Sequence, residues 1–243
     1  MNGISKQKQK YIQSLHLKKY RQQFGAFIVE GQKSIEELAK SDFRILELFL
    51  TDKANELKVD AEQISYCTAE EIQKASLFKS NNYGIAVVVS KSNVALAIVK
   101  NEWVLALDDL NDPGNLGTII RIADWYGIKK IICSESTVDF YNPKVISSSM
   151  GSFTRVSCFY TDLKTYLESN SAPIFGAYLD GANIHKIDFP SSGILIIGSE
   201  SHGISHELEN LVKMKITIPS FGQAESLNAG VATAIILDNI NRS

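Results

Sequence analysis

Short apolar runs separated by segments of helical spacing constrain this chain more than any other feature. Ile85–Val89, Trp103–Leu107, Ile131–Cys133 and Ile194–Ile197 are apolar almost throughout, as strands are when a sheet is covered on both faces. Between them apolar residues recur three and four positions apart, most clearly Leu116, Ile119, Ile120 and Ala123. Strand and helix in alternation predict an α/β protein on a mostly parallel, doubly wound sheet. A length of 243 residues suits one large domain or two modest ones.

The polar stretch Ser90–Asn93 divides two patterns. It sets a first domain at 1–92, a linker over 93–100 and a second domain over 101–243. The first begins with a helix over 4–22 and continues as strands at Phe27–Val29, Ile45–Leu50, Ile64–Cys67 and Ile85–Val89. Helices near 32–40, Asn55–Leu57 and 68–75 lie between the strands, the last capped by Thr68, and the whole reads as a small α/β sandwich. In the second domain helices are expected over 116–126, Pro143–Ser149, Asp162–Ser169 with Thr161 as cap, and Ser205–Val212. Further strands are expected at Phe153–Phe159 and Ile174–Tyr178.

The charge is divided. Residues 1–100 hold 15 Lys and Arg against 11 Asp and Glu, whereas 101–243 hold 10 against 16. No acid precedes Glu30, while Lys6, Lys8, Lys10, Lys18, Lys19 and Arg21 all do. A polyanion met by the first half fits this balance, and so does a solvated helix surface. No apolar run has membrane-spanning length, and the basic N-terminus lacks the apolar stretch of a secretory signal. Cys67, Cys133 and Cys158 are odd in number and far apart. They form neither a disulfide framework nor a metal-ligand spacing, which places the protein in a reducing cytoplasm.

Residues 216–238 carry the densest punctuation. Ile216 and Ile218 read as a strand stopped by Pro219. A small-residue loop with Gly222 follows, and Ser226 is expected to cap and open the last helix. Ala229, Gly230, Ala232 and Thr233 leave that helix a thin face for another backbone. Two other loops also follow strands: Asp112–Arg121 and Gly198–Gly203. At about 100° per residue, Arg121 falls nearly opposite the buried side of its helix. Loops after parallel strands are where open α/β sheets place ligands. The common nucleotide-binding glycine signatures are absent. His202 and His206 lack a third ligand, so no metal is expected, and Ser201–His202, being sequence neighbours, is not read as a nucleophile–base pair.

Taken singly, Asn115, Arg121, Glu200 and Ser226 have ordinary structural explanations as caps and surface charges. Together the three loops resemble a known set. Asn115-Leu-Gly-Thr-Ile-Ile-Arg121 after Asp-Pro-Gly, Gly198-Ser-Glu-Ser-His-Gly203, and Ile218-Pro219 with Ser226-Leu227-Asn228 resemble, in order, the three motifs of the SpoU/TrmH branch of the SPOUT RNA methyltransferases. Phe27-Ile-Val-Glu-Gly31 and the Gly84-Ile-Ala-Val-Val run resemble that family's L30e-like substrate-binding domain. Ala229-Gly230 and Asn82-Tyr83 depart from the usual wording of the third motif and of the turn before Gly84.

The resemblance implies a second domain whose C-terminal segment threads a trefoil knot, and a homodimer formed through that domain. It implies S-adenosylmethionine as cofactor, held by Gly198, Ile218, Leu227, Asn228 and the Ala177-Tyr178-Leu179 strand end. It implies methyl transfer to a ribose 2′-hydroxyl of RNA, with 23S rRNA or a ribosomal precursor as partner and neither DNA nor a membrane. Arg121 would activate the hydroxyl, with Asn115, Glu200, Ser226 and Asn228 ordering it. Arginine stays protonated in proteins, so a charged Arg121 that binds phosphate and stabilises a developing alkoxide is the physically easier role. Glu200 would then hold the guanidinium in a bidentate pair. Transfer RNA as substrate, or a noncatalytic ribosome-assembly role on the same fold, are the alternatives.

Overall fold

The computed structural model describes residues 3–242. They form two compact units, and the division does not follow the sequence. The first contains the residues up to Ser92 together with Asp139–Thr154; the second contains Asn93–Val138 and Arg155 onward.

The first unit opens with two helices, α1 (Lys6–Ser14) and α2 (Lys18–Phe24), where one is expected. Ser5 caps α1 by accepting from the Lys8 N–H. The chain breaks at extended Leu17, and Arg21 accounts for the carbonyls left over: its Nη1 donates to the oxygens of Leu15 and His16 at 2.9 and 2.5 Å. Its Nε donates to Asp139 at 3.0 Å. The unit continues through β1 (Ala26–Glu30), α3 (Gln32–Leu38), β2 (Ile45–Leu50), β3 (Gln63–Tyr66), α4 (Ala69–Ala75) and β4 (Gly84–Val89). Thr68 caps α4 in a reciprocal box with Glu71. The helix expected near Asn55 is a single 3₁₀ turn at Asp52–Ala54.

This sheet runs β1-β4-β2-β3, with β4 antiparallel to both neighbours and only β2–β3 parallel. It is therefore mixed rather than mostly parallel. β1 is an edge strand yet wholly buried. Residues 139–154 cover it, because Phe27 packs against Tyr141 and Phe153 at ring separations of 4.5 and 6.2 Å.

The second unit comprises β5 (Trp103–Leu107), α5 (Pro113–Trp125), β6 (Lys130–Ser134), β7 (Ser157–Thr161), α7 (Leu163–Glu168), β8 (Ile174–Asn183), β9 (Gly193–Ile197), α8 (His206–Glu209), β10 (Met214–Thr217) and α9 (Ala229–Ile240); Pro143–Ser148 of the first unit is α6. Its six strands are all parallel, ordered β10-β8-β9-β5-β6-β7. The central pair β5 and β9 is almost completely buried, which is what their unbroken apolar runs require.

Several boundaries move, each for a local reason. α5 begins at Pro113, because Asp112 caps it and proline suits a first helical position. α7 is capped by Asp162 rather than Thr161. The strand expected at Phe153 begins at Ser157, after a 3₁₀ turn at Ser152–Thr154. α8 is one turn long. β8 runs on to Asn183, but Lys215 of β10 pairs with Gly176 and the next residue, Ile216, with Ala182, so Ala177–Gly181 is looped out of the pairing.

Candidate active site at the strand ends

The parallel sheet changes direction at β5: the chain builds outward from β5 through β6 to β7, then crosses to β8, inserts β9 beside β5 and adds β10 at the far edge. The loops after β5 and β9 lie side by side at the strands' C-terminal ends, where open α/β sheets place ligands. Asp108, directly after β5, ties them together. It is buried; its N–H donates to the Ile197 carbonyl at 3.0 Å, and its carboxylate accepts from the Ser205 N–H at 2.7 Å. No motif in the sequence singles out Asp108. Its signal was an acid directly abutting a fully apolar strand.

Between Ile197 and Ser205 the chain closes on itself. Ser199 and Gly203 exchange two backbone hydrogen bonds of 3.0 and 2.9 Å. Gly198 permits this: a Cβ there would stand 2.1 Å from the carbonyl carbon of Gly203. Glu200, Ser201 and His202 are thereby displayed at the tip. Sequence neighbours though they are, Ser201 Oγ and His202 Nδ1 do meet, at 2.7 Å.

Three side chains from three separate stretches join here. Asn115 lies in the first turn of α5, inside the helix rather than in the loop before it, with its N–H on the capping Asp112. Its Nδ2 donates to Glu200 Oε1 at 2.5 Å. Its Oδ1 accepts from Asn228 Nδ2 at 2.8 Å. Asn228 is the N-cap of α9, its Oδ1 accepting from the N–H groups of Gly230 and Val231. The helix thus starts three residues after Ser226, which lies in an exposed loop and makes no hydrogen bond to another described residue. Gly230, which has no side chain, lets α9 approach α5, where a Cβ would come within 2.9 Å of Thr118.

Arg121 does not pair with Glu200, whose carboxylate is held by Asn115 instead. It lies on the exposed side of α5 and makes no ion pair among the described residues. Gly198 and Ile218 are half-buried directly after β9 and β10, and Leu227 is exposed just before α9; Ala177, expected at a strand end, is half-buried inside β8, where its pairing with β10 is interrupted. Around them the chain offers unfilled positions. The hydroxyls of Tyr178 and Ser205 are buried with no partner among the described residues. Gly203 and Gly222 face open space. Burial, reinforced by Glu209, raises the Tyr178 phenol above its ordinary range, so it stays a neutral donor. Unpaired hydroxyls and open backbone suit a ligand with an adenine, a ribose and an amino acid tail. Among the described residues no group of three His, Cys, Asp or Glu side chains is arranged to hold a metal.

Residues 102–238 match the family model described as the SpoU rRNA Methylase family, more than half of the chain. The chain belongs to the SpoU rRNA methylase family. Residues 6–84 match the MRM3-like substrate binding domain. A Bacillus subtilis relative named 23S rRNA (guanosine(2553)-2'-O)-methyltransferase RlmP is 32% identical over 98% of this chain and 97% of its own. A solved structure of a putative TrmH-family RNA methyltransferase from Porphyromonas gingivalis superposes with a TM-score of 0.88 at 31% identity, covering 98% and 99% of the two chains. The AviRb methyltransferase of Streptomyces viridochromogenes, solved with its cofactor AdoMet, shares the fold with a TM-score of 0.86 at 23% identity over 98% of each chain. As a member of this family the protein is an S-adenosylmethionine-dependent RNA methyltransferase.

Proposed function

We propose that the protein methylates a ribose 2′-hydroxyl of 23S rRNA, and that Asn115, Arg121, Glu200, Ser226 and Asn228 form the site. The observation that carries this is the single hydrogen-bonded line Glu200–Asn115–Asn228, joining one loop and the starts of two helices beyond the C-terminal ends of a parallel sheet. S-adenosylmethionine supplies an electrophilic methyl on a sulfonium that already carries its own leaving group. Gly198, Ile218, Leu227, Asn228 and Ala177 are the residues proposed to hold it, largely through backbone groups.

What remains for the side chains is the alcohol, which is weakly acidic and must be oriented. Arg121 has no competing carboxylate among the described residues and is free to take an RNA phosphate beside the reacting ribose. Its fixed charge stabilises an oxygen that becomes negative. Glu200, fixed by Asn115, accepts from a hydroxyl in front of it. Alignment of this kind supplies several kcal/mol.

The assembly proposed is a homodimer in the cytoplasm whose second unit threads the knot. Phe221 is 97% exposed, and Leu227 and Val231, both 48% exposed, flank the start of α9; a second copy would cover them and bring further groups to the site. All three cysteines are unpaired, and no helix among the described residues is long and apolar enough to cross a membrane. The test supplies tritiated S-adenosylmethionine and total RNA from cells lacking the gene. A labelled 2′-O-methyl nucleoside in 23S rRNA is expected, with the counterpart of guanosine 2553 the first nucleotide to examine. Label in the small RNA fraction would move the substrate to transfer RNA. No label without cofactor binding would leave the noncatalytic reading.

A further inference from the structure

We infer that α1 and α2 form a stacking platform for an unpaired nucleotide of the substrate RNA, flanked by lysines that take its phosphates. The inference rests on the RNA substrate proposed above.

Phe24 ends α2 and is 45% exposed, yet its ring is fixed. Tyr20 lies nearly parallel to it, with centroids 6.2 Å apart, and Tyr11 meets it edge-on at 5.1 Å. Leu17, 53% exposed, adds apolar surface at the start of the same helix. The ammonium of Lys19 stands 4.7 Å from the Tyr20 ring centre. Lys6, Lys10, Lys18 and Lys19 are exposed and make no ion pair among the described residues. No acid precedes Glu30 to neutralise them.

This combination selects a partner. A packed core would have buried Phe24. Protein–protein interfaces are depleted in lysine, whereas anchored rings on helices that also carry lysines free of ion pairs, one of them over a ring, match the sites that bind single-stranded nucleic acid. Unpaired bases splayed onto aromatic side chains are how RNA is read where its helices are too narrow to enter.

The experiment measures methylation and binding of an unmodified 23S rRNA transcript by the full-length protein. Phe24→Ala should raise the KM for the transcript about tenfold while the Kd for S-adenosylmethionine and the salt slope stay unchanged. Phe24→Tyr should restore the KM. The double variant Lys18→Gln/Lys19→Gln removes only exposed charge, so its fold is secure; it should lower the slope of log affinity against log salt by about 1.4. A wild-type KM in Phe24→Ala together with an unchanged slope in the double variant would overturn the platform, as would a change of oligomeric state on Phe24→Ala, which would assign the surface to a protein. A wild-type protein that neither binds nor methylates the transcript would instead overturn the proposed substrate.

Discussion

Asn228 donates to Asn115 Oδ1 at 2.8 Å across 113 positions of sequence. The direction of that bond is imposed from one end. Asn228 Oδ1 is committed to the N–H groups at the start of α9, so its amide nitrogen must face Asn115. Asn115 must then present its oxygen to Asn228 and its nitrogen to Glu200. A helix cap thus sets the orientation of a carboxylate on a different loop, and three stretches that look independent in the sequence act as one device.

Replacing Asn115 interrupts this line. Asn115→Ala should lower kcat about 10- to 100-fold while costing only about 1 kcal/mol of stability, because both partners reach solvent. Asn115→Asp sets a carboxylate beside Glu200, and two like charges at that distance do not both ionise readily. Its activity relative to wild type should therefore rise as pH falls from about 8 to 5, when one proton is shared. A pH profile of kcat parallel to that of wild type would show that Glu200 does not depend on its partner.

Arg121 offers a sharper separation of charge from shape. Lysine keeps the positive charge but loses the planar fork that grips a phosphate with two parallel bonds. Arg121→Lys should lose about 100-fold or more in kcat, with the Kd for S-adenosylmethionine and the melting temperature unchanged, since nothing in the described chain depends on the guanidinium. Near-normal turnover would remove Arg121 from the chemistry.

Much of this was legible beforehand. Fully apolar runs such as Ile194–Ile197 located the central strands, and Thr68 and Pro143 marked helix starts through plain capping chemistry. What sequence could not give was competition between equivalent signals. Ser226 and Asn228 are both good caps two residues apart, and Asn228 prevails because Asn115 holds its nitrogen. Glu200 is expected to pair with Arg121, but the helix starting at Pro113 carries Asn115 to the loop, and Asn115 takes the carboxylate instead. The covering of β1 by residues 139–154 left no periodic trace at all, because a contact such as Phe27–Tyr141 joins residues more than a hundred positions apart.

The Gly198–Gly203 closure gives a structural prediction. In Gly198→Ala the new methyl meets backbone, 2.1 Å from the Gly203 carbonyl carbon and 2.3 Å from the Ile204 nitrogen, and backbone cannot step aside as a side-chain end can. The loop must open, costing about 1–3 kcal/mol and displacing Glu200. Thermal melting should fall and methylation should fall with it. Gly222→Ala, where nothing lies within 4 Å, should melt within about 0.5 kcal/mol of wild type. Equal melting of the two variants would mean that the closure is not rigid.

Glu30 provides a pH dependence of stability remote from the chemistry. Its carboxylate is buried and accepts from the Ser76 hydroxyl, the Leu77 N–H and Asn81 Nδ2. Burial nevertheless dominates these bonds and raises its pKa above the ordinary glutamate value. Between the ordinary and the raised value, the folded protein holds a proton that the unfolded chain has released. This group's contribution is therefore complete below the ordinary glutamate pKa and is lost as pH rises through the folded one. Glu30→Gln has no proton to lose. Its constant cost, from presenting an amide to a cluster of donors, is the same at every pH. The difference in unfolding free energy, variant minus wild type, should therefore increase as pH is raised from the ordinary glutamate value toward neutrality. Denaturation of both proteins across that range measures it, and other titrating groups cancel in the difference. A flat difference would mean that the hydrogen bonds to Ser76, Leu77 and Asn81 offset burial completely, and a falling one that they exceed it.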